Sequence, residues 1–419
     1  MNRKWTFGLL VVHCKALVRI SFQGLFDASC SSQHLRDGIR TRRTKKGGSK
    51  ATMNESFEIY MHRALELALR GSGKVNPNPL VGAVIVRDGR IIGEGWHTAF
   101  GEPHAERHAL ANCIEDPCGA TLCVTLEPCC HTGKTPPCTE AIIESGIARV
   151  VMGAPDPNPK VAGGGVAQLE AAGIEVVQGV LVEECLAINK PFFHYIQTGR
   201  PYVILKYAMT LDGKIATHTG ASRWITGEVA RKRVHEDRQR YAAIMVGVNT
   251  IVKDDPQLTC RLDLLEGSCG HPARIVCDTR LCTPIDACVV RTAHEIPTYL
   301  ATSEQDPSKH QPYLDNGCVV LVLPEAEGHV DLKALMDELG SRGIDSVIVE
   351  GGATLNWSMI SAGLVSCAQV YVAPKIFGGG TAPSPVAGAG VKMPDEAMRF
   401  SAPTVTALGD DLLLECEVR

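Results

Sequence analysis

No stretch of this 419-residue chain approaches the roughly eighteen apolar residues of a membrane-spanning helix, so no membrane partner is expected. A large excess of either charge is also missing: the net value is −4, which gives no reason to expect nucleic acid as the main partner. Internal repeats and low-complexity tracts are missing. The seventeen cysteines form no disulfide framework, and no convincing secretory signal accompanies them. They read as reduced thiols, with Cys113, Cys185, Cys277 and Cys367 as small core hydrophobes. Two signatures are absent as well: the G-x-G-x-x-G fingerprint of the common dinucleotide fold and the closely spaced Cys-x-x-Cys pair. What remains is a chain that is 45% hydrophobic and long enough for two or three domains.

The small net charge hides an asymmetry. Residues 1–52 carry a balance of +9 against −4 for the whole, which leaves −13 on the rest. This basic segment has little periodicity and reads as a disordered extension. It is either an organelle transit peptide or in-frame sequence upstream of a start at Met53, and the second reading is favoured. The expected location is accordingly the cytoplasm, or a plastid on the transit-peptide reading.

From Met53 onward, short apolar runs alternate with helical periodicity. "LVGAVIV" and "RIIGEGW", split by "RDG", predict a hairpin. Crossover helices and strands follow to about residue 197, which predicts a helix–sheet–helix layered domain with a mainly parallel sheet. A second cycle of strands and helices starts at "YVILKYAMTLDGKIA". The expectation is thus two α/β domains, residues 53–197 and 198–419.

In the first, "EPHAERHAL" puts His104 and Glu106 at a helix start, and "EPCCHTGKTPPC" follows at residues 127–138. An imidazole and two thiolates, from His104, Cys129 and Cys138, make a tripod for Zn²⁺ that keeps a fourth position for water. Glu106 then need not bind metal and can carry a proton from that water to a departing amine, as in zinc deaminases. Cys130 is assigned to packing, because adjacent cysteines seldom serve one tetrahedral ion. In the second half, "IVEGGATLNWSMI" reads as strand, Gly-Gly turn and helix, whose bare amides could receive a phosphate. A plain tight turn fits that pattern equally well.

Four motifs of the first half, "VNPNPLVGAVIV", "GWHTAFGEPHAE", "LEPCCHTGKTPPC" and "DPNPKVAGGG", closely resemble the deaminase half of the bifunctional riboflavin-biosynthesis deaminase/reductase. "LKYAMTLDGKIA", "SRWITG", "DDPQLTCR", "VEGGATLNWSMI" and "PKIFGGG" resemble its reductase half. The resemblance implies a cytidine-deaminase-like α/β/α layered domain followed by a dihydrofolate-reductase-like α/β domain, with zinc and NADPH as cofactors. It implies hydrolytic deamination of 2,5-diamino-6-ribosylamino-4(3H)-pyrimidinone 5′-phosphate. NADPH reduction of the ribosyl chain then gives 5-amino-6-ribitylamino-uracil 5′-phosphate.

By the same resemblance Asn76 and His97 contact the pyrimidine and Lys134 meets the 5′-phosphate. Ala208, Trp224, Thr250, Asp254, Thr279 and the turn Gly352, Ala353, Thr354, Leu355, Asn356, Trp357 and Ser358 line the nucleotide. Ser222, Arg238, Leu258, Arg261 and Glu350 line the reductase substrate, the two arginines as guanidinium forks for the ribose phosphate. Lys206 is placed near the opened ribose, where a cation could polarise the carbonyl or imine before hydride attack. Asp212 is balanced between a catalytic role and the turn of "LDGK", and Arg280 between an adenosine 2′-phosphate and solvent. A small phosphorylated pyrimidine is the expected partner, and a homo-oligomer is left open. The competing readings are a nucleoside or nucleic-acid deaminase with an accessory domain, and a zinc-stabilised binding protein without chemistry.

Overall fold

The computed structural model describes residues 50–132, 136–158, 161–262 and 270–419, with side chains from residue 57 onward. Expectations about residues 1–49 and about Lys134 lie outside the described residues.

The first half runs α1 (Lys50–Leu69), β1 (Gly82–Arg87), β2 (Arg90–Trp96), α2 (Ala105–Ala111), β3 (Thr121–Leu126), α3 (Cys138–Glu144), β4 (Arg149–Ala154), α4 (Gly164–Ala171), β5 (Glu175–Gln178), α5 (Val182–Ile188) and α6 (Lys190–Thr198). The predicted hairpin is β1–β2. Asp88 and Gly89 both take positive φ (48° and 76°), as its two-residue turn requires. Sheet order is β2-β1-β3-β4-β5. Strand β1 is antiparallel to both neighbours while β3, β4 and β5 are parallel, so the sheet is mixed rather than mainly parallel. The reason is the hairpin, which needs no crossover helix.

Helix α1 packs with α5 over β1 and β3, and α2 contacts β1, β2 and α3. One glycine sets how closely α2 approaches. A Cβ on Gly95 of β2 would lie 2.3 Å from the Ala109 nitrogen and 2.4 Å from the Ala105 carbonyl oxygen. Only a bare backbone there lets α2, with Glu106 in its first turn, lie flat on the sheet.

The second half runs β6 (Tyr202–Thr210), α7 (Glu228–Arg240), β7 (Ala243–Gly247), α8 (Val248–Asp254), β8 (Ala273–Cys277), α9 (Cys288–Arg291), β9 (Thr298–Thr302), α10 (Pro307–Asp315), β10 (Val319–Val322), the small pair β11 (Glu325–Ala326) and β12 (His329–Val330), α11 (Leu332–Ser341), β13 (Ser346–Val349), α12 (Ala353–Ser361), β14 (Cys367–Ala373), β15 (Thr404–Leu408) and β16 (Asp411–Glu417). Nine of these strands form one sheet, in the order β10-β9-β8-β7-β13-β6-β14-β16-β15. All pairings from β10 to β14 are parallel, and the β15–β16 hairpin closes one edge antiparallel. Val203, Leu205, Met245, Val347 and Val349, on the central strands, are 2% exposed or less, as parallel strands covered on both faces must be.

The two sheets are tied through one corner of the reductase-motif half. The Tyr195 hydroxyl of α6 donates to the Gly340 carbonyl at 2.9 Å. The Asn76 amide donates to both carboxylate oxygens of Asp345 at 3.0 and 2.9 Å. Gly340 admits this contact because a Cβ there would stand 1.9 Å from the Gly199 carbonyl oxygen.

Candidate functional site

The helix start that carries His104 and Glu106, the end of β3 that leads to Cys129, and the first residue of α3, Cys138, converge on one point. One ligand atom from each of His104, Cys129 and Cys138 lies within 4.8 Å of the others. It is Nδ1 of His104 that faces the sulfurs, 3.4 Å from each. The backbone N–H of Cys138 donates to the Cys129 sulfur at 3.3 Å. The hydrogen bond from Cys138 draws the Cys129 thiol down to about 4 against the cost of burial, and His104 works in the same direction. Cys138, the donor of that bond and deeply buried, is pushed up. Three soft or borderline donors, one already thiolate, suit a zinc ion. Glu106 is 3% exposed beside them, and burial, then the Cys129 charge, raises its carboxyl to about 6. Cys130, whose sulfur reaches the Val161 carbonyl at 3.9 Å, sits against the α4 loop.

A cavity of about 290 Å³ opens on this cluster, with His104, Glu106 and Cys129 in its wall. His97 lines it and is 2% exposed; burial lowers its pKa to about 4, so the ring is neutral. Its partners fix the tautomer. The Pro103 carbonyl, 3.2 Å away, can only accept, so Nδ1 carries the proton and Nε2 accepts from the Asn78 amide at 3.1 Å.

Asn76 is a correction: it does not line this cavity, because its amide is spent on Asp345, and Asn78 lines it instead. The repeat in "NPNP" offers two asparagines, and sequence alone does not tell which one the chain turns inward. Asp156, Asn158, His131 and the aromatic Phe192 and Tyr195 also line the wall and were not singled out from sequence. Asp156 is 8% exposed, and burial raises its carboxyl to about 6. "DPNP" was visible as a motif, but only the fold brings it opposite His97.

In the second half the parallel topology gathers the expected residues. Ala208, Thr250, Thr279 and Glu350 with Gly352 lie at or beyond the carboxyl ends of β6, β7, β8 and β13, which are neighbours in the sheet. Ligands of open α/β sheets bind along such an edge. Gly352 caps α12 and is exposed, and a Cβ there would meet nothing within 4 Å.

Lys206, Arg238 and Glu350 form one buried ion cluster. Lys206 Nζ lies 3.3 Å from Glu350, and the Arg238 fork grips the same carboxylate at 2.8 and 3.0 Å. Burial alone would raise the Glu350 carboxyl, yet Lys206 and Arg238 outweigh it and hold it at about 2. The remaining Arg238 nitrogen donates to the Thr259 carbonyl at 3.0 Å, so all three guanidinium nitrogens already have a partner within the protein. Arg261 remains exposed, its backbone N–H on His235.

Leu258 sits in a core cluster with Ile244 and Val276. Within the 352–358 turn, Leu355 packs into the main core, Asn356 is 1% exposed with its amide on the Pro385 carbonyl, and Trp357 lies against Gly388. Leu355 and Asn356 are thus buried in the protein, Ala353, Trp357 and Ser358 are half-buried, and Gly352 and Thr354 are exposed. Ser222, Trp224, Asp254 and Arg280 are exposed; Thr279 accepts from the Val330 amide. Asp212 takes its turn role, accepting from the Thr210 hydroxyl and the Phe377 and Gly378 amides, which fixes the "PKIFGGG" loop.

Fold and site together define a two-domain α/β protein: a zinc-binding deaminase domain followed by a reductase domain. Residues 54–154 match the cytidine and deoxycytidylate deaminase zinc-binding region, and residues 201–414 match the RibD C-terminal domain. The riboflavin biosynthesis protein RibD of Actinobacillus pleuropneumoniae is 50% identical over 356 residues, covering 85% of this chain and 94% of the relative. That of Escherichia coli K12 is 44% identical over 331 residues, 77% and 88% of the respective chains. A solved structure of a diaminohydroxyphosphoribosylaminopyrimidine deaminase/5-amino-6-(5-phosphoribosylamino)uracil reductase from Thermotoga maritima is 40% identical. It superposes with a TM-score of 0.77 over 88% of this chain and all of that one. Acinetobacter baumannii RibD gives 0.78 at 35% identity, covering 88% and 100%. The chain belongs to the RibD family of riboflavin biosynthesis proteins.

Proposed function

We propose that this chain performs two consecutive steps on one phosphorylated pyrimidine: hydrolytic removal of an amino group in the first half, then NADPH-dependent reduction of the ribosyl chain in the second. The observation that carries the reading is the convergence of His104, Cys129 and Cys138 beside buried Glu106 in the wall of the cavity. The names of the T. maritima and A. pleuropneumoniae relatives support it.

His104, Cys129 and Cys138 would hold a zinc ion, whose contribution there would be to make a water acidic near neutral pH and so a usable nucleophile. Glu106, poised at about 6 in the metal-free site, takes the proton of that water and delivers it to the departing amine. The Asn78 amide, held in place by its bond to neutral His97, presents its carbonyl oxygen and remaining N–H to the pyrimidine edge. Asp156 and Asn158 face the same space, and we assign them to the substrate as well. In the second half, NADPH supplies the hydride. The amides at the start of α12 receive one of its phosphates, and Lys206, held by Glu350, presents its cation to the reacting carbon's substituent. We place the domain junction near residue 198 and the enzyme in the cytoplasm, a location supported by the free thiols of Cys118 and Cys282 at the surface.

A chelator tests the reading directly. Ammonia release from the diaminopyrimidine phosphate stops and returns with added zinc, while NADPH oxidation by the deaminated substrate continues throughout. Loss of both activities, or of neither, sinks the assignment. The two asparagines separate by the same assays. Asn78→Ala raises KM for deamination. Asn76→Ala leaves KM unchanged and lowers stability by about 1–3 kcal/mol in a denaturant titration, since buried Asp345 keeps only the Ser346 hydroxyl as a side-chain donor.

A further inference from the structure

Glu127 belongs to neither the metal tripod nor the proton relay, yet it is 4% exposed at the end of β3, two residues before Cys129. A carboxylate so placed needs partners, and all of its own are backbone amides of one distant loop. Oε1 accepts from Gly165 at 3.1 Å and Val166 at 3.3 Å. Oε2 accepts from Gly163 at 3.2 Å and Asp156 at 3.4 Å. One side chain therefore closes the loop between β4 and α4 at both ends. Between those ends Asp156, Asn158 and Val161 line the cavity. Asp156 in turn accepts from the Asn158 amide at 2.9 Å, so its carboxylate direction is set inside the same closed loop. Gly165 allows the approach: a Cβ there would stand 2.2 Å from the Pro128 carbonyl oxygen.

We propose that Glu127 is a positioning residue for the deamination, indexing the substrate-facing residues 156–158 and 161–166 against the metal ligand that follows it in the chain. The proposal rests on the deaminase reading above. Because the loop and Cys129 hang on the same two residues, Glu127 fixes the distance from the metal tripod to the substrate wall. A carboxylate suits this role where a carboxamide does not, since four N–H groups require acceptors only.

The test is Glu127→Gln in the full-length, zinc-loaded chain, beside wild type, with zinc content, NADPH-dependent reduction and deamination kinetics all measured. Expected are unchanged zinc, unchanged reduction, and a deamination kcat/KM lower by about 100-fold, carried mainly by KM. Amide exchange at Gly163, Gly165 and Val166 speeds up in parallel. Gly165→Ala, whose Cβ would stand 2.2 Å from the Pro128 carbonyl oxygen and 3.2 Å from Glu127 Oε1, pushes the loop off its seat while leaving the carboxylate in the chain; it gives the same KM-weighted loss and covers the case in which Glu127→Gln folds poorly. Wild-type deamination kinetics in Glu127→Gln overturn the proposal, as does a loss that tracks zinc or falls on kcat alone. Failure of wild type itself to release ammonia would instead overturn the deaminase reading.

Discussion

Glu106→Gln is expected to lower the rate of ammonia release by about 10²- to 10⁴-fold, the range in which positioned acid–base groups contribute. The effect should fall on kcat, because Glu106 acts on protons in flight rather than on the resting pyrimidine. The carboxamide is close in shape, so the 3% exposed site stays filled and the three metal-facing side chains keep their packing. Zinc content and NADPH oxidation by the deaminated substrate should stay at wild-type levels. If zinc remains and ammonia release is unchanged, Glu106 is not the proton carrier, and the cluster becomes a structural metal site. A loss of zinc together with activity would instead make Glu106 part of the metal's support.

The second large effect concerns stability. Glu350→Gln removes the one carboxylate that neutralises Lys206 and Arg238, whose side chains are 15% and 13% exposed. Breaking a buried pair by deleting one partner costs about 3–5 kcal/mol. The denaturation midpoint of the reductase half should fall accordingly, and NADPH-dependent reduction with it. The pH dependence carries a signature of its own. The folded Glu350 carboxyl sits at about 2, below its ordinary 4.5, so its stabilising contribution is whole above pH 4.5 and drains away as the pH falls toward 2. Wild type should lose stability across that window more steeply than Glu350→Gln. Parallel curves would show that the cluster does not depend on the charge.

The metal tripod was legible in the sequence because each member sits in its own local signal: His104 and Glu106 at a helix start, Cys129 after a strand, Cys138 after Pro-Pro. The alternation of strands and helices was legible for the same local reason, down to the β1–β2 turn. Long-range partner choice was not. Nothing around Asn76 names Asp345, 269 residues away, and nothing around Arg238 announces that Glu350, 112 residues on, will occupy its fork. The 352–358 segment reads as one stretch of nucleotide contacts, but it winds into a helix, and Leu355 and Asn356 are buried while Gly352 and Thr354 stay exposed. Helix α10 was missed because Pro307 and Pro312 argue against it. Pro307 is at the start, where a missing N–H does no harm, and Asp306 caps the Ser308 amide.

The corner where Tyr195 and Asn76 meet residues 340–345 bears on how freely this gene could be divided. Cutting near residue 198 looks natural, since one sheet ends and another begins there. Yet Tyr195, a wall residue of the deamination cavity, rests its hydroxyl on Gly340, and Asn76 stands two residues from the asparagine that meets His97. A liberated N-terminal fragment would surrender the Tyr195 anchor at the wall of its own reaction chamber, together with the Asn76 anchor. Monofunctional versions of either half would therefore need compensating substitutions at this seam before they could stand alone.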